Sequence, residues 1–520
     1  MPDLPPRPDL DQLRRQARDL LRAARAGDPD ATARIRAVSS SLTLTSARLA
    51  IAREYGFPGW ARLKTEAEAR TRDLAEQAAA FCEASIRDWT GRAARMLAAT
   101  PEIAGYGLAT AVVLGDADRV REAIGHDPAA ATRPDPRTGW TPLHAACASR
   151  WHYLDPARAQ GLTAVARLLL DAGADPAASI RGPRGGTWTP LRCAVAGAAN
   201  PAIVRLLLER GAVPGDHDLY LACFGGDGSE SLRLLLARSP DVSQSTALSA
   251  PVSTGDTEAV RLLLEAGADP NRPLPRDDGE PAWPALYAAI SSGCPAELAG
   301  LLLARGADPA AAGPDGRSPY RLATSLGRVD LTALLRRHGA RDDATGTELF
   351  VAACLRGERA AAHRMLAGDP GMLARLTAAE RGAILVAAER GDTGAVQLML
   401  DLGFDAGTRG GDDGGTALHA AAYSGSASTA RLLLDRGAGI EARDTTWDST
   451  PLVWAMVGSG ERPRHNPRPD WTATVQTLLE AVASTAGIEL SPDDAKAPSP
   501  EVAGILRAAG VPDRHHTPTG

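Results

Sequence analysis

A chain of 520 residues exceeds the size of one compact domain, so it holds either several domains or one extended repeat array. Hydrophobic residues make up 44% of it but aromatics only 4%, which calls for a core of alanine and leucine in packed helices. A formal net charge of -6 over this length gives no electrostatic reason to expect nucleic acid or an anionic membrane. The opening MPDLPPRPDLDQL lacks a basic stretch followed by an apolar one, and no run of roughly 18 apolar residues occurs anywhere, so a cytoplasmic location is expected. Residues 1–73 read as a helical leader with degenerate helix pairs, seen in LLRAARAGDPDATARIR (20 to 36) and ARLAIAREYGFPGWARLK (47 to 64). Residues 74–105, with FCEASIRDWTGRAARML (81 to 97), read as a degenerate capping unit.

From 106 onward one phrase returns, as in GWTPLHAAC (139 to 147) and GTALHAAAYSG (415 to 425), with openings at 106, 141, 189, 217, 246, 284, 318, 348, 382, 416 and 450. Each is followed by a second apolar-periodic segment and a glycine turn, as in TAVARLLLDAGADP (163 to 176) and TEAVRLLLEAGADPN (257 to 271). Thr141, Thr189, Thr416 and Thr450 are placed to cap the first helix of a unit, with Pro142, Pro190 and Pro451 at the first helical position. Gly115, Gly226, Gly255, Gly293, Gly327, Gly391 and Gly425 end that helix where a left-handed residue is needed. The leucine triplets, such as 262 to 264 and 432 to 434, bury against the next unit. Residues 482–520 close the array with a half unit (499 to 513) and a frayed tail.

The T-P-L-H opening, the mid-unit G-D and the L-L-L-x-x-G-A-D close recur together and resemble the ankyrin repeat of bacterial ankyrin-repeat proteins. The resemblance implies an all-α ankyrin-repeat solenoid of stacked helix-turn-helix units with β-turn or hairpin fingers, about eleven of them over 106–481. It also implies that His144 and His419 bond the backbone of the neighbouring finger, and that the concave face of fingers and first helices binds a protein partner as a scaffold or adaptor.

The units are not uniform. SRWHYLDPARAQGL (149 to 162) separates the two helices of one unit, and GERPRHNPRPD (460 to 470) splits the last recognisable one. Tryptophan, tyrosine and arginine dominate binding hot spots. The candidate partner-binding residues are therefore Trp140, Trp188, Trp283 and Trp447 beside finger turns, Trp151, His152, Tyr153 and Arg158 in the first insertion, and Arg464, His465 and Trp471 at the second. We expect a partner to dock across Trp140, Trp188 and Trp283, with the 149 to 162 insertion as a wall. The other role open to these tryptophans is stacking between neighbouring fingers.

A second function class is nucleic-acid or anionic-ligand binding through Arg133, Arg137, Arg181, Arg184, Arg272 and Arg276, although acidic residues or prolines interrupt each cluster. GxxxxGK, GxSxG, HExxH and paired CxxC patterns are absent, so no cofactor, metal or catalytic residue is expected. An enzyme hidden in residues 1–105 would have to use Arg53, Glu54, Tyr55, Trp60, Asp88 and Trp89, which show no nucleophile-base spacing. Cys82, Cys147, Cys193, Cys223, Cys294 and Cys354 read as reduced core thiols, and the protein is expected to be a monomer.

Overall fold

The computed structural model of the protein describes residues 10–71, 74–87, 91–182, 186–196, 200–224, 226–227, 229–238, 241–275, 282–411, 413–461, 466–490 and 497–513. By internal packing it falls into two units, residues 1–111 with 489–491 and 512–520, and residues 112–488 with 492–511.

The first unit contains the helices Leu10–Arg25, Pro29–Arg36, Leu44–Glu54 and Trp60–Thr71. Asp28 starts the second of these by accepting the Asp30 and Ala31 amides, with Pro29 at the first helical position. Thr43 caps the third through the Ser46 amide. The four helices share one core of Leu13, Leu20, Ile35, Ile51, Trp60 and Leu63 with interleaved alanines. Each such leucine or isoleucine, fully buried, stabilises by about 2 kcal/mol. Arg34 closes the surface with a bidentate pair to Glu54 at 2.7 and 2.8 Å. The helices Leu74–Arg87 and Arg92–Ala99 follow, with Phe81 fully buried between them and a 3-10 turn at Pro101–Gly105.

The second unit is two parallel rows of helices. One row, the inner, runs through Pro142–Ala148, Pro190–Val195, Asp216–Ala222, Ser249–Thr254, Ala285–Ser291, Pro319–Ser325, Gly346–Leu355, Ala383–Glu389, Ala417–Tyr423 and Pro451–Glu461, each packed on the next. These starts lie within a few residues of the openings read from the sequence. The outer row includes Ala159–Asp171, Pro201–Glu209, Thr257–Glu265, Ala296–Ala304 and Ala427–Asp435, and buries its leucines between neighbours: Leu169, Leu207, Leu263, Leu302 and Leu433 are all inaccessible. All seven turn glycines are left-handed, from Gly115 at φ 74° to Gly425 at φ 68°. Asp116, Asp256 and Asp392 then cap the following helix. The helix Pro500–Ala508 packs on Trp471–Glu480 and on Pro451–Glu461.

Most fingers keep the expected turn or hairpin. Two-stranded hairpins form at Ile180–Arg181 with Thr187–Trp188 and at Arg409–Gly410 with Gly415–Thr416, and Leu274 bridges Trp283. Two fingers hold short helical turns instead. Pro128–Ala131 is a 3-10 turn begun by Asp127, and the short helices Met372–Arg375 and Ala378–Arg381 fill another finger, the latter held by a Thr377/Glu380 capping box. No helix among the described residues is long and apolar enough to cross a membrane.

Candidate partner-binding surface

One helical place, the third residue of the inner helix, ties several units to the next. In the unit that opens at Thr416 this is His419. Its Nδ1 accepts the Thr416 amide at 3.1 Å, so the proton sits on Nε2, which donates to the Ser449 carbonyl at 3.1 Å in the following finger. His144 takes Thr141 Oγ1 at 2.7 Å, while its buried Nε2 lies near the backbone of Ala178 and Trp188 without a bond of good geometry. Burial depresses the pKa of both imidazoles below the ordinary histidine value, so they stay neutral in the fold. Neither faces a metal-binding group: among the described residues no cluster of three or more His, Cys, Asp or Glu could hold an ion.

In some units without the histidine, another polar side chain ties the unit to the next. Arg192 Nε donates to Asp218 at 3.0 Å, and Arg321 does so to Glu348 at 3.1 Å. Asp218 and Glu348 are the third residues of the next inner helices and also accept the Gly215 and Thr345 amides, both at 2.8 Å. Tyr287, buried over Gly313, donates its hydroxyl to Asp315 at 2.7 Å. Thr141 and Thr189 cap as expected, through the His144 and Arg192 amides. Thr450 does not: its hydroxyl is buried with no partner.

The finger tryptophans divide. Trp140 is only 8% exposed, with its ring centroid 6.5 Å from that of Trp188 and 6.3 Å from His144, which makes it a packing residue between fingers. Trp188 is half-buried over Gly182, and Trp283 is half-buried, edge-on to Tyr287 at 5.7 Å. Trp447 is 53% exposed.

The insertions are packed clasps. In the first, the chain forms the helix Trp151–Leu154 and the turn Pro156–Arg158, and Trp151 is buried at 4% exposure under the Arg158 guanidinium, 5.1 Å from its ring. Ser149 Oγ and Arg158 then donate to the Val113 and Leu114 carbonyls, the last of the helix Leu108–Leu114. Gly161 meets the Gly115 backbone so closely that no Cβ fits. His152 is half-buried with Nδ1 2.8 Å from the Ser149 carbonyl, and Tyr153 is 65% exposed. Trp140 precedes the helix Pro142–Ala148 and the insertion follows it, about 10 Å away along its axis. The second insertion repeats the device: Asn466 Nδ2 donates to the Ser424 carbonyl at 3.0 Å and Trp471 Nε1 to the Tyr423 carbonyl at 2.8 Å, over the end of the helix Ala417–Tyr423. Arg464 and His465 lie outside the described residues, as do Asp88, Trp89, Arg184 and Arg276.

Residues 138–180 and 243–273 match the family description Ankyrin repeat, and residues 349–444 and 384–461 match Ankyrin repeats (3 copies). Over 102 residues, 19% of this chain, the sequence is 37% identical to cyclin-dependent kinase 4 inhibitor B of Mus musculus and spans 73% of that protein. The chain belongs to the ankyrin-repeat family. The Bos taurus protein of the same name is 41% identical over 90 residues, 17% of this chain and 63% of that protein, so this second match spans less than two thirds of its relative. Among solved structures, an ankyrin repeat domain of Acinetobacter baumannii AYE aligns with 38% of this chain and 98% of its own at 26% identity and a TM-score of 0.30. The human ASB11 ankyrin repeat domain aligns with 45% and 96% at 22% identity and a TM-score of 0.21. Ankyrin repeats are generally protein-protein interaction modules.

Sequence reasoning missed two groups on the ankyrin inner helices. On Asp216–Ala222, His217 stacks on Tyr220 at 5.5 Å and Tyr220 meets Phe224 edge-on at 5.3 Å, with His217 and Phe224 exposed. Their spacing of three and four was the available signal. On Ala417–Tyr423 and Pro451–Glu461, Trp454 lies 5.2 Å from His419, 5.9 Å from Tyr423 and 6.2 Å from Trp447, with its Nε1 donating to Asp444 at 2.9 Å. Tyr423 donates to Glu461 at 2.6 Å. Desolvation and that bond raise the phenol pKa well above its usual range.

All six cysteines are free thiols, and burial pushes Cys223 and Cys354 up to about 12 and Cys294 to about 11, far from the thiolate form. Of the groups weighed for an enzyme, Glu54 is engaged by Arg34 and Trp60 is buried beneath Arg48. Of the finger arginines, Arg133 pairs with Asp127 and Arg272 bonds Gln244.

Proposed function

We propose that this ankyrin array is a protein-binding scaffold that holds its partner against the inner helices and fingers, with Trp447, Phe224, Tyr220 and Trp188 as anchors. Trp140 and Trp151, whose indoles are covered by their own neighbours, have no role in that contact. The observation that supports the reading is the half-exposed indole of Trp447, edge-on at 6.2 Å to Trp454, whose own ring packs on His419 and Tyr423. An aromatic fixed before the encounter loses little freedom on binding, which favours affinity. The mouse and cattle relatives are named as inhibitors of a kinase, which is a protein target.

The test is affinity capture from lysate of the source with the full chain and with Trp447→Ala/Phe224→Ala, at moderate salt, identifying protein and nucleic acid in the eluate. A protein kept by the native sequence and lost by the variant supports the reading. Nucleic acid alone, released steeply by added salt, would transfer the function to the exposed Arg137 and Arg181.

A further inference from the structure

The formal net charge of -6 is unevenly divided along the chain. Residues 1–73 hold 14 arginine and lysine residues against 10 aspartate and glutamate residues, a balance of +4, and the rest of the chain carries -10. Much of the positive charge sits on one element. The first helix, Leu10–Arg25, holds Arg14, Arg15, Arg18, Arg22 and Arg25 against two carboxylates, Asp11 and Asp19. At 3.6 residues per turn the five arginines fall within about 100° of the helix surface, opposite the buried Leu13, Ala17, Leu20 and Ala24. Arg15, Arg18, Arg22 and Arg25 are exposed, over about 15 Å of axis. Arg22 keeps 78% of its side chain in solvent while paired with Asp19 at 2.9 Å, and Arg25 is steadied by the Leu42 carbonyl at 3.3 Å.

Such a stripe works against its own helix, because like charges three and four residues apart repel. In the outer row of the array the same side chain is matched across units, as in Arg205 with Glu230 and Arg233 with Glu258. The apolar face of Leu10–Arg25 is spent in the core of the leader, so the helix cannot lie in a membrane by inserting that face. Among the described residues of 10–71 no large apolar side chain is exposed, so a protein partner would find no hydrophobic anchor there. A phosphodiester backbone needs none, since guanidinium contacts to successive phosphates hold it without reading its bases. We infer that the stripe of Arg15, Arg18, Arg22 and Arg25 binds the phosphate backbone of a nucleic acid, without sequence preference. This is a second activity, carried by the leader and separate from the protein-binding reading of the array.

The experiment is fluorescence anisotropy of the full-length protein with a labelled DNA duplex of about 30 base pairs, titrated at several salt concentrations. Four arginines on phosphates predict a slope of log affinity against log salt of about -3 to -4. Arg15→Gln/Arg18→Gln/Arg22→Gln exchanges one good helix former for another, so its circular dichroism should match the native chain. It should flatten the slope by about 2 to 3 and weaken binding at low salt by about ten-fold or more. Arg18→Gln alone should flatten the slope by about 1, which keeps the test open if the triple variant is unstable. Arg137→Gln/Arg181→Gln in the fingers and Trp447→Ala should bind the duplex as the native chain does. A slope unchanged by the stripe variants, or binding lost with the finger variant instead, overturns the inference. So does an absence of binding at low salt, displacement by poly-glutamate as readily as by unlabelled duplex, or attachment to phosphatidylserine vesicles in preference to the duplex. Each of these results leaves the protein-binding reading untouched.

Discussion

Arg192 reaches across a unit boundary to Asp218, whose side chain is only 5% exposed and also accepts the Gly215 amide that starts its own helix. One carboxylate therefore joins two tasks, capping a helix and tying it to the unit before. Arg192→Leu would leave that charge buried and half satisfied. We expect a loss of about 3 kcal/mol, recovered in part by Arg192→Leu/Asp218→Asn, measured by urea unfolding followed with fluorescence. An unchanged midpoint for the single variant would show the pair to be dispensable.

Acid should weaken the array through its histidines. Burial keeps His144 and His419 neutral in the fold, with pKa values below 6.5, whereas the unfolded chain protonates them near 6.5. The unfolded state thus binds more protons as pH falls below that value, so the contribution of neutral His144 and His419 is complete above it and is lost on acidification. Melting temperature should be flat from neutral to mildly alkaline pH and fall below about 6.5. His419→Gln should lower stability at neutral pH and flatten the acid slope, as read by calorimetry across pH.

Two helical glycines predict opposite signs. A Cβ at Gly458 would strike the Tyr423 backbone, which cannot move aside, whereas Gly504 has open space. Gly458→Ala should destabilise by about 1–3 kcal/mol through overpacking. Gly504→Ala should stabilise by about 0.5–1 kcal/mol by reducing the freedom of the unfolded chain. Thermal melts of the two single variants make the comparison.

The clasp at the first insertion should be local in effect. Arg158→Ala removes the donor to the Leu114 carbonyl and uncovers Trp151. We expect a loss of about 1–2 kcal/mol, with faster hydrogen exchange over Leu108–Leu114 and none over Ala417–Tyr423, which Asn466 and Trp471 hold separately.

The row of inner helices was legible because threonine, proline and glycine sit where dihedral angles and orphan amides demand them: Thr189, Pro190 and Gly255 announce ends that the chain alone decides. The fate of Trp140 was not, since its burial depends on Trp188 arriving 6.5 Å away from another unit, and no spacing along the chain reports that. The insertions misled for a related reason. A segment rich in Trp151, Tyr153 and Arg158 has hot-spot composition, yet Ser149 and Arg158 answer the unpaired carbonyls of a helix some forty residues earlier. The replacement of histidine by Arg192, Tyr287 or Arg321 was invisible because their carboxylate partners come from later units and share no local pattern. Between units, the sequence reading captured only what the repeat itself carries, such as the His419 bond to Ser449 and the buried leucines.

The ties at the third helical position also give the array a fixed order. Arg192 needs a carboxylate in the unit that follows, and the unit after that one offers Pro251 at the corresponding place. Excising the unit that opens at Asp216 would set the half-buried Arg192 guanidinium against a ring with no acceptor. Units of this chain are therefore not interchangeable parts, and a shortened or shuffled version would have to be rewritten at its seams before it could stack.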